Sequence, residues 1–351
     1  MKKTILYFLF PFLCFSCSKQ ENKSIEEFDT VEYIESYDSI FSDVDEPFGV
    51  VVEIHVFGNM LVLNHANGDY QFSFIDIESG KNVCRWGTIG EGAGEFIDFS
   101  SNFSIEDSCL VFQTFAKKEI NYVPLRDILN RRTDMDVRKE TYPYTVDFRP
   151  RRVYSINENR KVAVGAFKEG LLGILGKDNT LMSCESDLPF PCDEVEGIYR
   201  GNLFQSQVIT NGEKNRFAVF FLASDVFEIY EINGEEVRKV YVSSFKSVPQ
   251  IQKRGERWGI DYDNSIAGFT SLSASSEWIG CSFSSQSYAE SAAKDGAFDE
   301  ILCFDWNGRK VKKYILPFAI NRFCMDADYI YGVRYVDDKT VIYRFPAKVS
   351  K

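Results

Sequence analysis

The chain holds two histidines, His55 in Val52-Glu-Ile-His-Val-Phe57 and His65 in Leu63-Asn-His-Ala-Asn67. Imidazole is the commonest metal ligand and a frequent general base. On adjacent strands the pair could converge. No carboxylate cluster and no cysteine stands at metal-ligand spacing beside them, so structural or surface histidines are expected, with no metal and no cofactor. A second constellation is Lys253-Arg-Gly-Glu-Arg-Trp258-Gly-Ile-Asp261-Tyr262-Asp263-Asn264. Flat aromatic faces combined with acids and amides suit a carbohydrate, and Arg257, Trp258, Asp261 and Tyr262 supply that set. The alternative is a packed loop whose Trp258 covers a neighbouring sheet. Arg149-Pro-Arg151-Arg152 is a basic cluster in an acidic chain. Arg151 and Arg152 suit an anionic ligand, or else pair with surface carboxylates. Ser284 to Ala297, with Tyr288, Glu290, Lys294 and Asp295, reads as an inserted loop able to form a short helix. Many Asp and Glu residues are present, but no spacing singles out an acid and base pair, so no catalytic residue is assigned.

At the N-terminus, Lys2 and Lys3 precede an apolar run from Ile5 to Phe15. The run falls short of the ~20 residues needed to span a bilayer and has the size of a signal-peptide core. Residues 1–16 are therefore expected to be a signal peptide. Ser16-Cys17 then resembles the relaxed lipobox of lipoproteins from Gram-negative gut anaerobes, with Cys14 at the usual leucine position. That resemblance implies a diacylglycerated Cys17, and more than one acyl chain gives stable anchoring. Residues 17–30 form a polar tether. Only Glu21 lies directly behind the cysteine, which leaves the membrane face open.

The formal charge is −12, and loss of Lys2 and Lys3 lowers it by two more. That argues against nucleic acid or an anionic lipid surface as partner. The remaining cysteines, at 84, 109, 184, 192, 281, 303 and 324, form no C-x-x-C pair and read as small core residues. A Cys184–Cys192 disulfide is permitted in an oxidising compartment, although the spacing does not require it.

Phe, Tyr, Val and Ile dominate, and only Leu125 to Asp136 suggests a short helix. Asn233-Gly234 joins Val226–Ile232 to Glu236–Val242, and Asn307-Gly308 joins Ile301–Trp306 to Lys310–Ile315. Asn-Gly is the strongest short hairpin signal. Glu78-Ser79-Gly80 and Lys177-Asp178-Asn179 mark two weaker copies. The spacing fits a repeat of ~40–50 residues holding four strands, which is a propeller blade. Six blades are expected, near 48–86, 96–140, 151–184, 204–242, 266–315 and 320–346. The last lacks an outer strand, and the spare run Val31–Tyr37 is expected to supply it by pairing with residues 339–346. The fold class is all-β, a six-bladed β-propeller over residues 31–346 with a tail at 347–351.

Trp86-Gly-Thr-Ile-Gly90-Glu-Gly92-Ala-Gly94-Glu95-Phe96 resembles the G-x-G-P-G-E-F turn joining blades in NHL-type six-bladed propellers, with Ala93 in place of proline. The whole chain resembles the TolB-like six-bladed propeller lipoproteins of Gram-negative gut anaerobes. The resemblance implies the fold and the lipid anchor, and no reaction. Read physically, the glycines allow close backbone approach and Phe96 fills the space between blades. A phosphate loop is disfavoured: no lysine follows, no helix is signalled, and Glu91 and Glu95 repel phosphate.

These readings converge on a monomeric, lipid-anchored protein of the cell envelope, at the outer membrane. Its propeller would be a binding module for a glycan or an envelope protein. The alternative is a propeller enzyme, a glycan hydrolase or lyase.

Overall fold

A computed structural model describes residues 28, 30–42, 48–92, 95–99, 102–132, 134–185, 195, 198–211, 215–243, 247–337 and 339–347. Residues 1–16, where a signal peptide is expected, and Cys17, Gly94 and Cys192 lie outside the described residues. Six blades of four antiparallel strands form a six-bladed β-propeller. Blade 1 comprises Val50–Phe57, Met60–Ala66, Phe72–Asp76 and Lys81–Trp86. Blades 2, 3, 4 and 5 begin with Phe103–Glu106, Phe148–Asn157, Ser206–Thr210 and Ile266–Ala274. Blade 6 begins with Arg322–Met325, continues through Tyr329–Val336 and ends the chain's own contribution with Lys339–Pro346.

Among the described residues the apolar core is divided. Six apolar clusters lie between successive blades, each shared by two neighbours. A blade's middle strands are therefore covered on both faces, which is why they read as unbroken apolar runs such as Leu61-Val-Leu63 and Phe217–Phe221, all buried. The cluster joining Val51, Leu61 and Leu63 of blade 1 to Tyr331, Val333 and Ile342 of blade 6 closes the ring.

Closure does use an N-terminal strand, but a later one than expected. Asp38–Ser42 pairs antiparallel with Val341–Arg344 and completes blade 6. Val31–Tyr33 instead runs parallel to Lys313–Ile315 and adds a fifth strand to blade 5. Packing decides the difference. Ile40 and Phe41 pack on the cluster between blades 6 and 1, whereas Ile34 is buried in the cluster between blades 5 and 6. Tyr37 bridges the two positions, edge-on to Phe318 and Tyr343. Ion pairs fix both registers, Lys312–Glu32 at 2.8 Å and Arg344–Asp38 at 3.1 Å.

Alternation of strand direction sorts the connections onto two faces. One face, called here the turn face, has tight turns with left-handed glycines at Gly80, Gly234 and Gly308. Its one long connection holds the helix Leu125–Leu129. The other, the loop face, collects every crossover between blades. It carries the bridge Thr88–Ile89 with Glu95–Phe96, the helix Tyr199–Leu203, the hairpin Ile251–Arg254 with Arg257–Ile260, and the helix Tyr288–Ala292. The last helix starts with a capping box in which Ser287 and Glu290 satisfy each other's backbone N–H.

Candidate functional site

The inner strand of every blade faces a central channel, a cavity of about 440 Å³. Each blade contributes polar groups to it: Glu53 and His55, Ser104 and Glu106, Arg152, Gln207, Thr270, and Arg322. Innermost strands have an unpaired edge, and side chains of the preceding blade satisfy part of it. The Phe103 amide donates to Glu53 Oε2 at 3.0 Å, and the Met325 amide donates to Ser273 Oγ at 3.0 Å.

Three inner strands carry register shifts at their loop-face ends, between Val51 and Glu53, between Pro150 and Arg152, and between Ile266 and Gly268. Such bulges re-aim side chains beside functional sites. Arg151 sits at the second of these shifts and is exposed, while Arg152 lines the channel. His55 Nε2 lies 3.0 Å from Glu53 Oε1, and its ring stands edge-on to Phe103. His65 does not join it. It is buried on the neighbouring strand, 2.9 Å from Ser73 Oγ and against the Phe48 ring. Among the described residues no group of three or more His, Cys, Asp or Glu is placed to hold a metal.

Arg322 enters from blade 6. Its Nε donates to the Val52 carbonyl at 3.0 Å and its Nη1 to the Asn321 carbonyl at 2.6 Å. Burial pulls its guanidinium below its ordinary pKa, against the opposing influence of Tyr335, Glu53 and Tyr288. Burial also raises Tyr154 in the channel wall, with Arg152 opposing.

On the loop face, five tyrosines stand exposed in the connections: Tyr70, Tyr144, Tyr199, Tyr262 and Tyr288. Among the described residues, the turn-face connections within blades expose no large apolar side chain, and Tyr37, at the turn-face end of the closing strand, is the exception on that face. Tyr262 and Tyr288 pack at 4.7 Å between centroids. Partial burial and then Tyr288 raise the Tyr262 pKa, and Arg151 offsets part of that. Arg151 and Tyr262 are thus near one another on the loop face, next in sequence to Arg152 of the channel wall. Arg257 is exposed on the hairpin. Trp258 is half-buried against the cluster between blades 3 and 4, with Lys253 Nζ 5.6 Å from its ring. Asp261 caps its own turn by accepting from Asn264 at 2.8 Å.

The glycine motif is an inter-blade plug. Gly87 has φ +85°, whereas Gly90 and Gly92 serve by leaving room for Glu95, whose Oε2 accepts from the Gly92 amide at 2.8 Å. Phe96 is buried against Trp86 of blade 1 and Phe112 of blade 2. Cys84, Cys281, Cys303 and Cys324 are buried thiols, and burial raises each of them, Cys303 to about 12.

Reading by residue type missed Arg322 and Glu53. Glu53 had a signal: it stands two residues before His55, hence on the same strand face. Arg322 had only its place at the start of an inner strand.

This architecture defines a six-bladed propeller with a polar central channel and one loop-rich face. The TolB-like 6-blade propeller-like family model matches residues 26–328, and the chain belongs to that family. No curated protein matches the sequence. A protein of Bacteroides fragilis NCTC 9343 described as exported is 13% identical, with 93% of this chain and 95% of that one covered at TM-score 0.55. A member of the duf4221 family from Bacteroides vulgatus ATCC 8482 is 8% identical, with 89% and 96% covered at TM-score 0.52. At these identities the likeness concerns the fold.

Proposed function

We propose that this protein is a lipoprotein of the cell envelope, anchored at the outer membrane through Cys17, and that its propeller is a glycan-binding module acting through the loop face. The observation that carries the reading is the set of five tyrosines exposed in loop-face connections. Exposed aromatics grouped on one face mark a binding surface, and tyrosine offers a flat apolar ring with a polar tip. Arg151 and Tyr262 belong to that face and Arg152 to the channel wall, with Arg257 and Trp258 on the hairpin and Asp261 directly after it. The Glu53–His55 pair in the channel is what an enzyme reading would use, as an oriented base.

The test combines a glycan array with a reducing-end release assay on the mature protein. Binding without release, abolished by Tyr262→Ala with Tyr288→Ala, is the expected result. Release of reducing ends that stops with Glu53→Gln would make the protein an enzyme. Capture of an envelope protein in place of any glycan would replace the ligand class. Cys17→Ser should move a folded protein from the membrane to the soluble fraction.

A further inference from the structure

We propose that Arg322, which lines the channel together with His55, is a receptor for a carboxylate carried by the ligand that enters the channel. A guanidinium has five N–H donors. In Arg322 two are spent on the backbone carbonyls of Val52 and Asn321, which fix the group in place, and no carboxylate pairs with it among the described residues. Three donors remain on a half-buried cation that lines the cavity. Charge taken partly out of water without a counter-ion is costly, and a planar two-oxygen anion is its best complement. Glu53 is the acid nearest at hand, but it is occupied: one oxygen faces His55 and the other accepts from the Phe103 amide.

The same Glu53 contact sets the role of His55. If Glu53 accepts from Nε2–H, as its geometry favours, the imidazole presents Nδ1 as an acceptor. Nδ1 meets no hydrogen-bond partner among the described residues. The wall thus offers donors for a carboxylate and an acceptor for a neighbouring hydroxyl or amide. Arg152, on the opposite blade and lining the same cavity, adds a second positive charge. The cavity has the size of small-ligand pockets, ~300–1,000 Å³. A sugar acid and a peptide terminus share this chemistry. The exposed tyrosines favour the sugar acid, and to that extent the inference rests on the glycan-binding reading above.

The test is calorimetric titration of the mature protein with three probes: trigalacturonate, neutral galactotriose, and trialanine with a free carboxylate. Trigalacturonate should bind more tightly than galactotriose. Arg322→Gln should weaken it roughly 10- to 100-fold, the loss expected for a charged hydrogen-bonding group, and leave galactotriose unchanged. Arg322→Lys should fall between, since lysine keeps the charge and loses the fork. Should Arg322→Gln lower the melting temperature, Arg322→Lys serves in its place, with a smaller loss confined to the acidic probe. Binding of trialanine alone, still dependent on Arg322, would keep the carboxylate site and remove the glycan reading. Equal affinity for acidic and neutral sugars, indifference to Arg322→Gln, or binding of none of the probes would overturn the proposal.

Discussion

The two faces of the propeller are made by the same sheets and spend their residues differently. On the turn face, strands are joined by short connections with left-handed glycines, and the side chains there serve the backbone. Asp76, for example, accepts from both the Ser79 amide and hydroxyl at 2.7 Å, and these bonds lower its pKa. On the loop face, connections are long, carry added helices and a hairpin, and expose tyrosines that no blade needs. A propeller requires only that the outer strand of one blade reach the inner strand of the next. Asn321 alone makes that crossover between blades 5 and 6. The extra length elsewhere is therefore surplus to folding, which is where binding residues collect.

The comparison can be broken from either side. The largest effect is expected at the closure. Deleting residues 30–42 removes the outer strand of blade 6 and exposes the edge at Val341–Arg344. The protein should aggregate or fail to fold, as read by size-exclusion chromatography and circular dichroism. Gly80→Ala comes next. Gly80 has φ +62°, and an added Cβ would stand 2.1 Å from the Ile40 carbonyl of the closing strand. A loss of about 2–4 kcal/mol in urea unfolding is expected, with ligand binding intact.

Glu140 gives a smaller, pH-dependent effect between blades 2 and 3. Burial opposes its charge, but Lys161 Nζ at 2.9 Å and Asn179 outweigh that and hold its pKa below the ordinary 4.5. Its contribution is therefore present above pH 4.5 and lost as pH falls through the lowered folded value. Stability of the Glu140→Gln variant should fall less steeply with acid, as measured by thermal melts from pH 6 to about 3. The smallest effect on folding belongs to the loop face: Tyr262→Ala and Tyr288→Ala should each change stability by only about 0.5 kcal/mol while removing glycan binding. A large destabilisation would make these tyrosines structural.

Much of the architecture was legible because each local signal agreed with the global fold. Asn233-Gly234 and Asn307-Gly308 turn where expected, and the unbroken apolar runs mark strands covered on both faces. The closing strand was misplaced because Val31–Tyr37 has the stronger strand composition, while its partner was set by contacts of Ile40 and Phe41 that composition does not reveal. The additions within the crossovers, helix Tyr199–Leu203 and the hairpin Ile251–Ile260, had little periodicity to announce them. At the site, Arg151, Arg152 and Tyr262 were legible as residue types. His55 was read against His65, although period-two alternation sends its side chain into the channel with Glu53. Arg322 acquires meaning only when the ring brings blade 6 against Val52 of blade 1.

The most direct test of a functional loop face is hydrogen–deuterium exchange on the mature protein with and without a bound glycan. The account predicts slowed exchange at the segments around Tyr70, Tyr144, Tyr199, Tyr262 and Tyr288, with the turns at Gly80, Gly234 and Gly308 unchanged. Protection at those turns, with the loop face unaltered, would contradict it.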